Sequence, residues 1–255
     1  MKHIASRDNV FFKQLKRLGQ SARERAQAGQ TLLDGVHLIR AYETAVGPVD
    51  ALLISESAQA QVEIAAYVAG REVVTLHDAL FREAAVVETP SGIMAVVSVP
   101  SSSHADPAVD TVVLDGIQDP GNLGTLLRTA AAAGFRQVVL SPDCAGAWSP
   151  KVLRAGQGAH FVLDIVHEER LAGFLASYQG TVAVTRLEES RSLFSVALPR
   201  PLAWVFGSEG QGVRPEVAEL ATLNIRIPMP GAVESLNVAA AAAICLFETV
   251  RQRGL

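Results

Sequence analysis

The sequence is poor in the residues from which disulfide frameworks and metal centres are built. Only 2 of the 255 residues are cysteine, and Cys144 and Cys245 lie far apart and outside any C-x-x-C pattern. This spacing argues against a disulfide framework and against a cysteine-based zinc site. The 6 histidines form no H-E-x-x-H or similar pair, so we predict no catalytic metal. These features fit a protein of the reducing cytoplasm.

Long hydrophobic runs are also missing. The apolar run at residues 238–247 is too short to cross a bilayer, and the stretch MKHIASRDNVFFK at the start lacks the apolar segment of a signal peptide. We therefore predict a cytoplasmic protein without membrane attachment. The 49% apolar composition over 255 residues is ample for one large packed domain or two smaller ones.

Charge is distributed unevenly along the chain. The net charge of −4 argues against a general nucleic-acid binder, but residues 1–25 carry seven Lys or Arg against two acidic residues. Asn9 is placed to cap a helix that runs to Leu18, in which Phe11, Leu15 and Leu18 share an apolar face. Such a segment suits a local polyanion site, although charge alone favours a solvated helix face. The candidate contacts are Arg7, Lys13, Lys16 and Arg17.

Two domains are predicted on either side of a linker. The first half alternates short apolar strands with helical pieces, which is typical of a small α/β domain. In the stretch 30–42 a short predicted strand runs into a helix. The other predicted strands lie at residues 49–54, 72–76 and 93–99. The stretch PSSSHADP at residues 100–107 combines Pro, Ser and charge without periodicity and is the candidate linker. We therefore place the two domains at residues 1–103 and 107–255.

The second half predicts a parallel sheet with helices on both faces. Short apolar runs of the kind found in buried parallel strands recur at residues 111–114, 137–140, 181–185, 202–206 and 223–227. Helical stretches lie between them, notably at 123–133 and 215–220. This alternation of strand and helix is typical of an α/β domain.

Polar groups cluster in three loops of this half. The first, DGIQDPGNLGTLLR at residues 115–128, follows an apolar strand. Pro120 and Gly121 suit a type II turn, and Asn122 then falls at a helix N-cap. Arg128 lies about 1.7 turns along that helix, from where a long side chain reaches back toward the loop. A capping Asn with a surface Arg is the simpler alternative.

The second loop, GSEGQG at residues 207–212, follows another apolar strand. Its three glycines allow positive φ and close approach of a ligand to the backbone, and Glu209 is its one ionisable group. The spacing differs from the G-x-G-x-x-G dinucleotide fingerprint and from the P-loop. By itself the segment also fits a plain turn.

The third loop, IPMPGAVESLN at residues 227–237, separates a predicted strand from an alanine-rich helix. Ser235 is placed to cap that helix. Together with Asn237 it puts two polar groups at the start of a helix whose residues are nearly all small and apolar. Ile227 and Leu236 are apolar groups of the kind that hold a flat purine ring. A cap on a core helix is the alternative interpretation.

Taken in order, NLGTLLR at 122–128, GSEGQG at 207–212 and IPMPGAVESLN at 227–237 resemble the three motifs of the SpoU/TrmH family of RNA ribose 2'-O-methyltransferases, part of the SPOUT superfamily. The resemblance covers about residues 110–253, and the first half is similar to the family's small RNA-binding domain. It implies an α/β fold in which a trefoil-knotted, parallel-sheet methyltransferase domain follows a small α/β domain like certain ribosomal proteins. Composition and periodicity do not predict such a knot.

The resemblance also implies a cofactor and an assembly. S-adenosylmethionine is the expected methyl donor, and a homodimer with its active site near the subunit interface is the expected state. By family likeness the positions that contact S-adenosylmethionine are Gly207, Ile227 and Leu236, with Thr185 and Met229 as neighbours.

The same likeness assigns catalytic roles. Arg128 is the expected central residue, Asn122 and Glu209 complete the polar shell, and Ser235 and Asn237 hold the substrate side. The chemistry requires a ribose 2'-hydroxyl held in line with the sulfonium methyl. Since a guanidinium group stays protonated in proteins, we expect Arg128 to clamp the target phosphate and to stabilise the forming alkoxide.

The implied partner is structured RNA. The basic N-terminal helix would bind RNA phosphates and set the register, while target choice would come from the shape of a loop or bulge. A complete N-terminal domain favours ribosomal RNA over tRNA. The alternatives are a tRNA ribose 2'-O-methyltransferase, a nucleotide-binding oxidoreductase, which the missing fingerprint disfavours, and a non-catalytic RNA-binding protein, which the intact polar site residues disfavour.

Overall fold

The computed structural model describes residues 2–85, 87, 89–101, 104–186, 189–208 and 210–254. The strands are β1 Lys2–Ile4, β2 Gln30–Asp34, β3 Ala51–Ser55, β4 Val74–Leu76, β5 Ile93–Ser98, β6 Thr111–Asp115, β7 Gln137–Leu140, β8 Asp164–His167, β9 Thr181–Thr185, β10 Arg191–Ser192, β11 Leu202–Gly207 and β12 Leu223–Arg226. The helices are α1 Val10–Gln20, α2 Ala22–Ala28, α3 Val36–Ala45, α4 Val62–Val68, α5 Asp78–Ala85, α6 Pro120–Ala132, α7 Pro150–Gly156, α8 Leu171–Ala176, α9 Pro215–Ala218 and α10 Val238–Gln252.

The chain divides into two compact units. The first unit is Met1–Ser101 with Gly146–Phe161, and the second unit is Ser102–Ala145 with Val162–Leu255. Residues 146–161 thus pack with the first unit, although they follow β7 of the second in sequence. The domain division at 1–103 and 107–255 stays a prediction.

The first unit is built on a mixed five-stranded sheet with the order β1-β4-β3-β5-β2. Strands β1, β4 and β3 run parallel, whereas β5 is antiparallel to both β3 and β2. Because successive strand residues point to opposite faces, Leu32 and Leu53 pack with α1 and α5, while Leu33 and Leu52 pack with α3 and α4. The small α/β domain that the sequence predicts is therefore confirmed, with β1 as an additional strand.

Helix α1 begins where its sequence predicts. The Asn9 side chain accepts hydrogen bonds from the backbone N–H groups of Phe11 and Phe12 at 2.9 and 3.2 Å, as an N-cap should. Phe12, Leu15 and Leu18 are buried, and Phe11 is only half-buried. Leu15 and Leu18 of the predicted apolar face are thus confirmed, Phe12 takes the place of Phe11, and the helix runs on to Gln20.

The segment Gly146–Phe161 joins the first unit through specific contacts. The hydroxyl of Thr31 on β2 donates to the carbonyl oxygen of Trp148 at 2.7 Å. Gly158 has φ +92°, and a Cβ added there would lie 3.0 Å from the Cβ of Ala41 on α3. Close backbone approach with a left-handed conformation explains a glycine at this position.

The second unit contains a seven-stranded sheet that is parallel throughout, with the order β10-β12-β9-β11-β6-β7-β8. All five predicted strands are present, and the predicted parallel-sheet α/β class is confirmed. From β6 the chain moves outward through β7 and β8, and it then crosses to the other side of β6 for β9 to β12. Ligands bind at such a reversal, outside the carboxyl ends of the strands. The trefoil knot stays a prediction.

Helix α10 closes the second unit. Its inner face buries Ala242, Cys245 and Leu246, whereas Ile244 and Phe247 are 36% and 48% exposed. Among the helices of the described ranges, none combines the length and the apolar character that a membrane span requires.

Candidate active site

The loop after β6 ends in a helix start that differs from the prediction. The carboxylate of Asp119 accepts from the backbone N–H of Asn122 at 2.7 Å, so Asp119 is the N-cap of α6 and Pro120 is its first residue. The predicted type II turn at Pro120–Gly121 and the predicted N-cap Asn122 are therefore wrong. The N–H of the first helical residue makes no hydrogen bond within the helix, so a proline, which has no N–H, is well tolerated there. Pro120 therefore favours this earlier start. Asn122 lies in the first turn of α6, and its side chain contacts the third loop.

The glycine-rich loop after β11 folds tightly back on itself. A Cβ added at Gly207 would lie 2.1 Å from the carbonyl carbon of Gly212, so no larger residue fits there. The N–H of Gly212, which has φ +69°, donates to the carbonyl oxygen of Ser208 at 2.8 Å. Positive φ occurs at Gly212 but at neither Gly207 nor Gly210. The predicted site residue Glu209 lies outside the described residues.

An ion pair between the buried Asp115 and the partly exposed Arg214 holds both ends of this loop. Asp115 is 1% exposed and pairs in register with Gly207 across β6 and β11. Its carboxylate accepts from the backbone N–H of Arg214 at 2.9 Å and from the guanidinium Nε at 2.8 Å, and the side-chain hydrogen bond raises the pKa of Arg214. Arg214 also contacts the exposed Asp143 at 3.4 Å. The Asp115–Arg214 pair therefore fixes where the glycine-rich loop begins and ends.

The third loop meets the first through a pair of asparagines. Asn237 is the N-cap of α10 and accepts from the N–H groups of Ala239 and Ala240 at 2.9 and 3.3 Å. Ser235 is exposed and lies before the cap, so its predicted capping role is wrong. The side-chain amide Nδ2 of Asn237 donates to Oδ1 of Asn122 at 3.0 Å. Two predicted catalytic residues, 115 positions apart in sequence, thus lie in direct contact.

A polar pocket of about 520 Å³ lies where these loops converge. Asp115, Asn122, Ser208, Gly212 and Arg214 contribute to its lining, together with Val238 at the start of α10. We refer to it as the polar pocket. Its walls carry side-chain and backbone hydrogen-bonding groups from two strand ends, which is the chemistry needed to orient a polar substrate.

An apolar cavity of about 270 Å³ lies beside the third loop. Thr185, Ile227, Met229 and Leu236 line it, so the structure brings together four of the five predicted cofactor residues. The fifth, Gly207, packs against Gly212, which also lines the cavity. A neighbouring cavity of about 480 Å³ shares Thr185 and Gly212 with it. Ser235 belongs to the apolar cavity and not to the asparagine pair.

Arg128 is not assembled with the other predicted catalytic residues. It is exposed on α6, and the residues described for the lining of the polar pocket do not include it. Six positions along a helix place Arg128 on a different side from Asn122. Within one chain, the described residues therefore do not join Arg128 to the asparagine pair.

The predicted RNA-binding residues of the N-terminal segment have acidic neighbours. Arg7 and Lys16 contact Glu83 at 3.0 and 2.7 Å, and hydrogen bonds from Lys16 and Arg7 lower the pKa of Glu83. The remaining pairs are Lys13 with Asp8 at 3.0 Å and Arg17 with Glu24 at 3.9 Å. The positive charge counted along the sequence is thus partly balanced in the folded unit.

Sequence reasoning missed Asp115, Asp119 and Arg214. The position of Asp115 at the carboxyl end of a buried apolar strand was an available signal, since polar groups at such strand ends often face a site. Nothing in the sequence around Arg214 indicates that its partner lies 99 positions earlier.

The chain is similar to known proteins over nearly its whole length. Residues 110–247 match the SpoU rRNA Methylase family, and residues 9–95 match the MRM3-like substrate binding domain. An uncharacterised tRNA/rRNA methyltransferase of Synechocystis sp. is 35% identical over 98% of this chain and 94% of its own length. The 23S rRNA (guanosine(2553)-2'-O)-methyltransferase of Bacillus subtilis is 33% identical over 97% of this chain and 98% of its own length.

A solved structure extends the likeness to the fold. The AdoMet-bound rRNA methyltransferase from Sinorhizobium meliloti, with AdoMet standing for S-adenosylmethionine, superposes with a TM-score of 0.82 at 26% identity. The alignment covers 100% of this chain and 98% of that one.

Proposed function

Because the chain belongs to the SpoU rRNA methylase family, we propose that it transfers a methyl group from S-adenosylmethionine to a ribose 2'-hydroxyl of ribosomal RNA. The observation that carries this proposal is the hydrogen bond between Asn122 and Asn237 at 3.0 Å, beside the glycine-rich loop. This hydrogen bond joins the loop after β6 to the loop before α10, at a pocket that the glycine-rich loop also lines. Ribosomal RNA also implies a cytoplasmic enzyme.

The apolar cavity fits the cofactor. Ile227, Met229 and Leu236 offer apolar walls to an adenine ring, and the glycine backbone at Gly212 allows close approach. The neighbouring cavity that shares Thr185 leaves room for the rest of the molecule. When bound, S-adenosylmethionine supplies an electrophilic methyl group on a sulfonium sulfur.

The chain's own residues orient the RNA for the reaction. The two asparagine amides hold each other in a fixed geometry at the polar pocket, where they offer hydrogen bonds to a target ribose. The glycine-rich loop, fixed by Asp115 and Arg214, forms the opposite wall. Holding the hydroxyl in line with the methyl group is the main contribution expected of such a site. Glu209 and Ser235 stay proposed members of it.

Arg128 is proposed to act on the RNA phosphate. A guanidinium binds phosphate through two parallel hydrogen bonds and stays charged. Its exposure on α6 leaves it accessible to RNA, and we expect it to stabilise charge that develops on the target oxygen.

We further propose that the enzyme is a homodimer. Ile244 and Phe247 on the outer face of α10 are 36% and 48% exposed, and adjacent exposed apolar side chains mark interaction surfaces. A second copy on this face would also explain how Arg128, which does not line the polar pocket of its own chain, completes an active site.

The first unit is the proposed RNA-binding part. Its match to a substrate binding domain supports this role, and the ion pairs of Arg7, Lys13, Lys16 and Arg17 do not oppose it. Exposed ion pairs contribute only about 0–1 kcal/mol, so an RNA phosphate replaces a carboxylate such as Glu83 at little cost.

A methyl-transfer assay tests the proposal. The purified protein is incubated with methyl-labelled S-adenosylmethionine and unmodified ribosomal RNA, and the RNA is hydrolysed in alkali. Label in alkali-resistant dinucleotides reports 2'-O-methylation, because the blocked hydroxyl no longer attacks the neighbouring phosphate.

The same assay tests Arg128. We expect Arg128→Lys to lose at least about tenfold in activity, since lysine lacks the bidentate fork. The control Arg136→Lys, a change at another exposed arginine, should retain activity. Retained activity in Arg128→Lys would count against the clamp, and absence of label with the wild type would overturn the proposal.

A further inference from the structure

The first unit contains a pocket that is lined by none of the residues to which we assign a role in methyl transfer. It has a volume of about 300 Å³, at the lower end of the range of about 300–1,000 Å³ for small-molecule sites. Ser57 and Gln61 follow β3, Asp78 and Arg82 lie on α5, and Pro90 and Gly92 precede β5. We refer to it as the first-unit pocket. Its size suits one small ring system and not a helical duplex.

The lining of the first-unit pocket suits a neutral, polar ligand. Asp78 and Arg82 contribute one charge of each sign, so the pocket does not select for a phosphate. Asp78 accepts from the backbone N–H and the hydroxyl of Ser57 through Oδ1, both at 3.0 Å. Its Oδ2 accepts no hydrogen bond from the residues that the structure describes. A free acceptor beside the guanidinium donors of Arg82 and the amide of Gln61 matches the edge of a nucleobase that presents both N–H and carbonyl groups.

The walls of this pocket are held in place from outside it. Gly92 has φ +93°, and a Cβ added there would lie 2.6 Å from the Cβ of Ala58, so the loop before β5 runs directly against the residues after β3. Asp34, whose side chain is 6% exposed, accepts from the backbone N–H and the hydroxyl of Ser91, both at 3.1 Å. The shape of the pocket therefore does not depend on an unsupported loop.

Arg154 provides the second anchor of the same loop. Its guanidinium donates to the carbonyl oxygen and the hydroxyl of Thr89 at 2.9 and 3.2 Å, and it contacts Asp34 at 3.5 Å. Arg154 lies on α7, in the stretch matched by the methylase family that packs with the first unit. The loop that forms one wall of the first-unit pocket is thus held by Arg154, a residue within the range matched by the methylase family.

We propose that the first-unit pocket receives one unstacked nucleobase of the RNA substrate, with Gln61, Asp78 and Arg82 reading its edge. The inference rests on the proposed function, since it assumes an RNA substrate. Sequence-specific RNA recognition targets bases that are splayed out of a helix, and a pocket with one carboxylate and one guanidinium offers such a base both acceptors and donors. The basic residues of α1 would position the RNA backbone, and this pocket would determine which loop is accepted.

Steady-state kinetics with ribosomal RNA tests the inference. Gln61→Ala and Arg82→Ala change exposed side chains, so both proteins are expected to fold, which thermal unfolding verifies. We expect each to raise the KM for RNA about tenfold, as for loss of one specific base contact, with the KM for S-adenosylmethionine unchanged. The salt dependence of RNA affinity should also stay as in the wild type, because the lost contact is to a base and not to a phosphate.

Two control variants separate this result from general effects. Gln59→Ala removes a neighbouring exposed glutamine that does not line the pocket, and Arg40→Ala removes an exposed charge elsewhere in the same unit, outside the basic N-terminal segment. Both should retain a wild-type KM for RNA. Pocket variants that match the controls, or a salt slope that falls in Arg82→Ala, would overturn the inference while methyl transfer itself stands. A wild-type protein that transfers no methyl group to RNA would overturn the proposed function, and this inference with it.

Discussion

At the scale of single residues, Asp115 and Arg214 form the contact on which the site depends most. Asp115 is 1% exposed and holds the backbone and the side chain of Arg214. Asp115→Asn replaces the charged acceptor of these hydrogen bonds with a neutral amide, whereas the Arg214 side chain is 38% exposed and keeps its contact with Asp143. Because a hydrogen bond to a charged group contributes about 1.5–3 kcal/mol, we predict that this change lowers the free energy of unfolding by about 2 kcal/mol and weakens S-adenosylmethionine binding, measured by urea unfolding and calorimetry.

Asp143 supplies the matched control for that change. It contacts the same guanidinium at 3.4 Å, but its side chain is 62% exposed. Asp143→Asn should therefore cost less than about 1 kcal/mol and leave cofactor binding unchanged. Equal effects of the two variants would show that burial of Asp115 is not what stabilises the loop.

His160 gives the first unit a pH-dependent stability. Its ring is 1% exposed, Nε2 lies 2.9 Å from the carbonyl oxygen of Ala147, and Nδ1 has no hydrogen-bond partner among the described atoms. Burial lowers the pKa of His160 from 6.5 to about 4. Since the unfolded chain takes up this proton near pH 6.5 and the folded chain does not, stability is complete above that pH and falls as pH decreases toward about 4.

The size of the effect follows from the same linkage. We predict that His160 contributes a loss of roughly 2 kcal/mol to the free energy of unfolding between about pH 7.5 and 5. Urea unfolding of His160→Phe should show a smaller loss over this interval, whereas His37→Asn, a change at an exposed histidine of the same unit, should follow the wild type. An unchanged pH dependence in His160→Phe would contradict the assignment.

The two helix caps of the site show what single residues do not reveal in sequence. Asn122 and Ser235 are both suitable caps, yet the structure uses Asp119 and Asn237. Several capping residues stand near each helix start, and tertiary packing decides which turn begins the helix. The motifs indicated loops that meet in the structure, at the hydrogen bond between Asn122 and Asn237, but the local roles of these residues were not predictable.

At the scale of elements, α10 carries two kinds of apolar surface. Ala242 and Leu246 are fully buried within the unit, while Phe247 is 48% exposed. If a second copy covers that outer face, placing a carboxylate there should separate the subunits, because a buried unpaired charge is costly. We predict that Phe247→Glu converts a dimer into a monomer in light scattering after gel filtration, with loss of methyl transfer.

Val162→Glu is the control for Phe247→Glu. Val162 is 61% exposed in the same unit, and a charge there should leave the assembly unchanged. A wild-type protein that is monomeric, or a Phe247→Glu variant that stays dimeric, would contradict the proposal that α10 forms the dimer interface.

The strands of the second unit could be predicted because their side chains are nearly all apolar. Strands β7 and β9 match the predicted residues 137–140 and 181–185 at both ends. Strand β8, DIVH, begins and ends with polar residues, and β10 has only two residues, so neither gives a hydrophobic pattern to detect. Pairing with neighbours in the sheet, and not local propensity, makes them strands.

At the scale of the whole molecule, function was predictable from three short motifs and not from composition. The net charge of −4 gives no indication of an RNA partner, and periodicity predicts the sheet but not its strand order. The packing of Gly146–Phe161 with the first unit was also beyond the sequence, because the contacts of Thr31 with Trp148 and of Asp34 with Arg154 span 117 and 120 positions.

Mapping 2'-O-methylated riboses in ribosomal RNA, from cells with and without the gene, tests the central claim most directly. We predict one or a few positions that lose their methyl group when the gene is deleted. These positions should regain it when wild-type protein is supplied and not when Asn237→Ala is supplied. Identical methylation maps in the two strains would contradict the assignment of this chain as a ribosomal RNA 2'-O-methyltransferase.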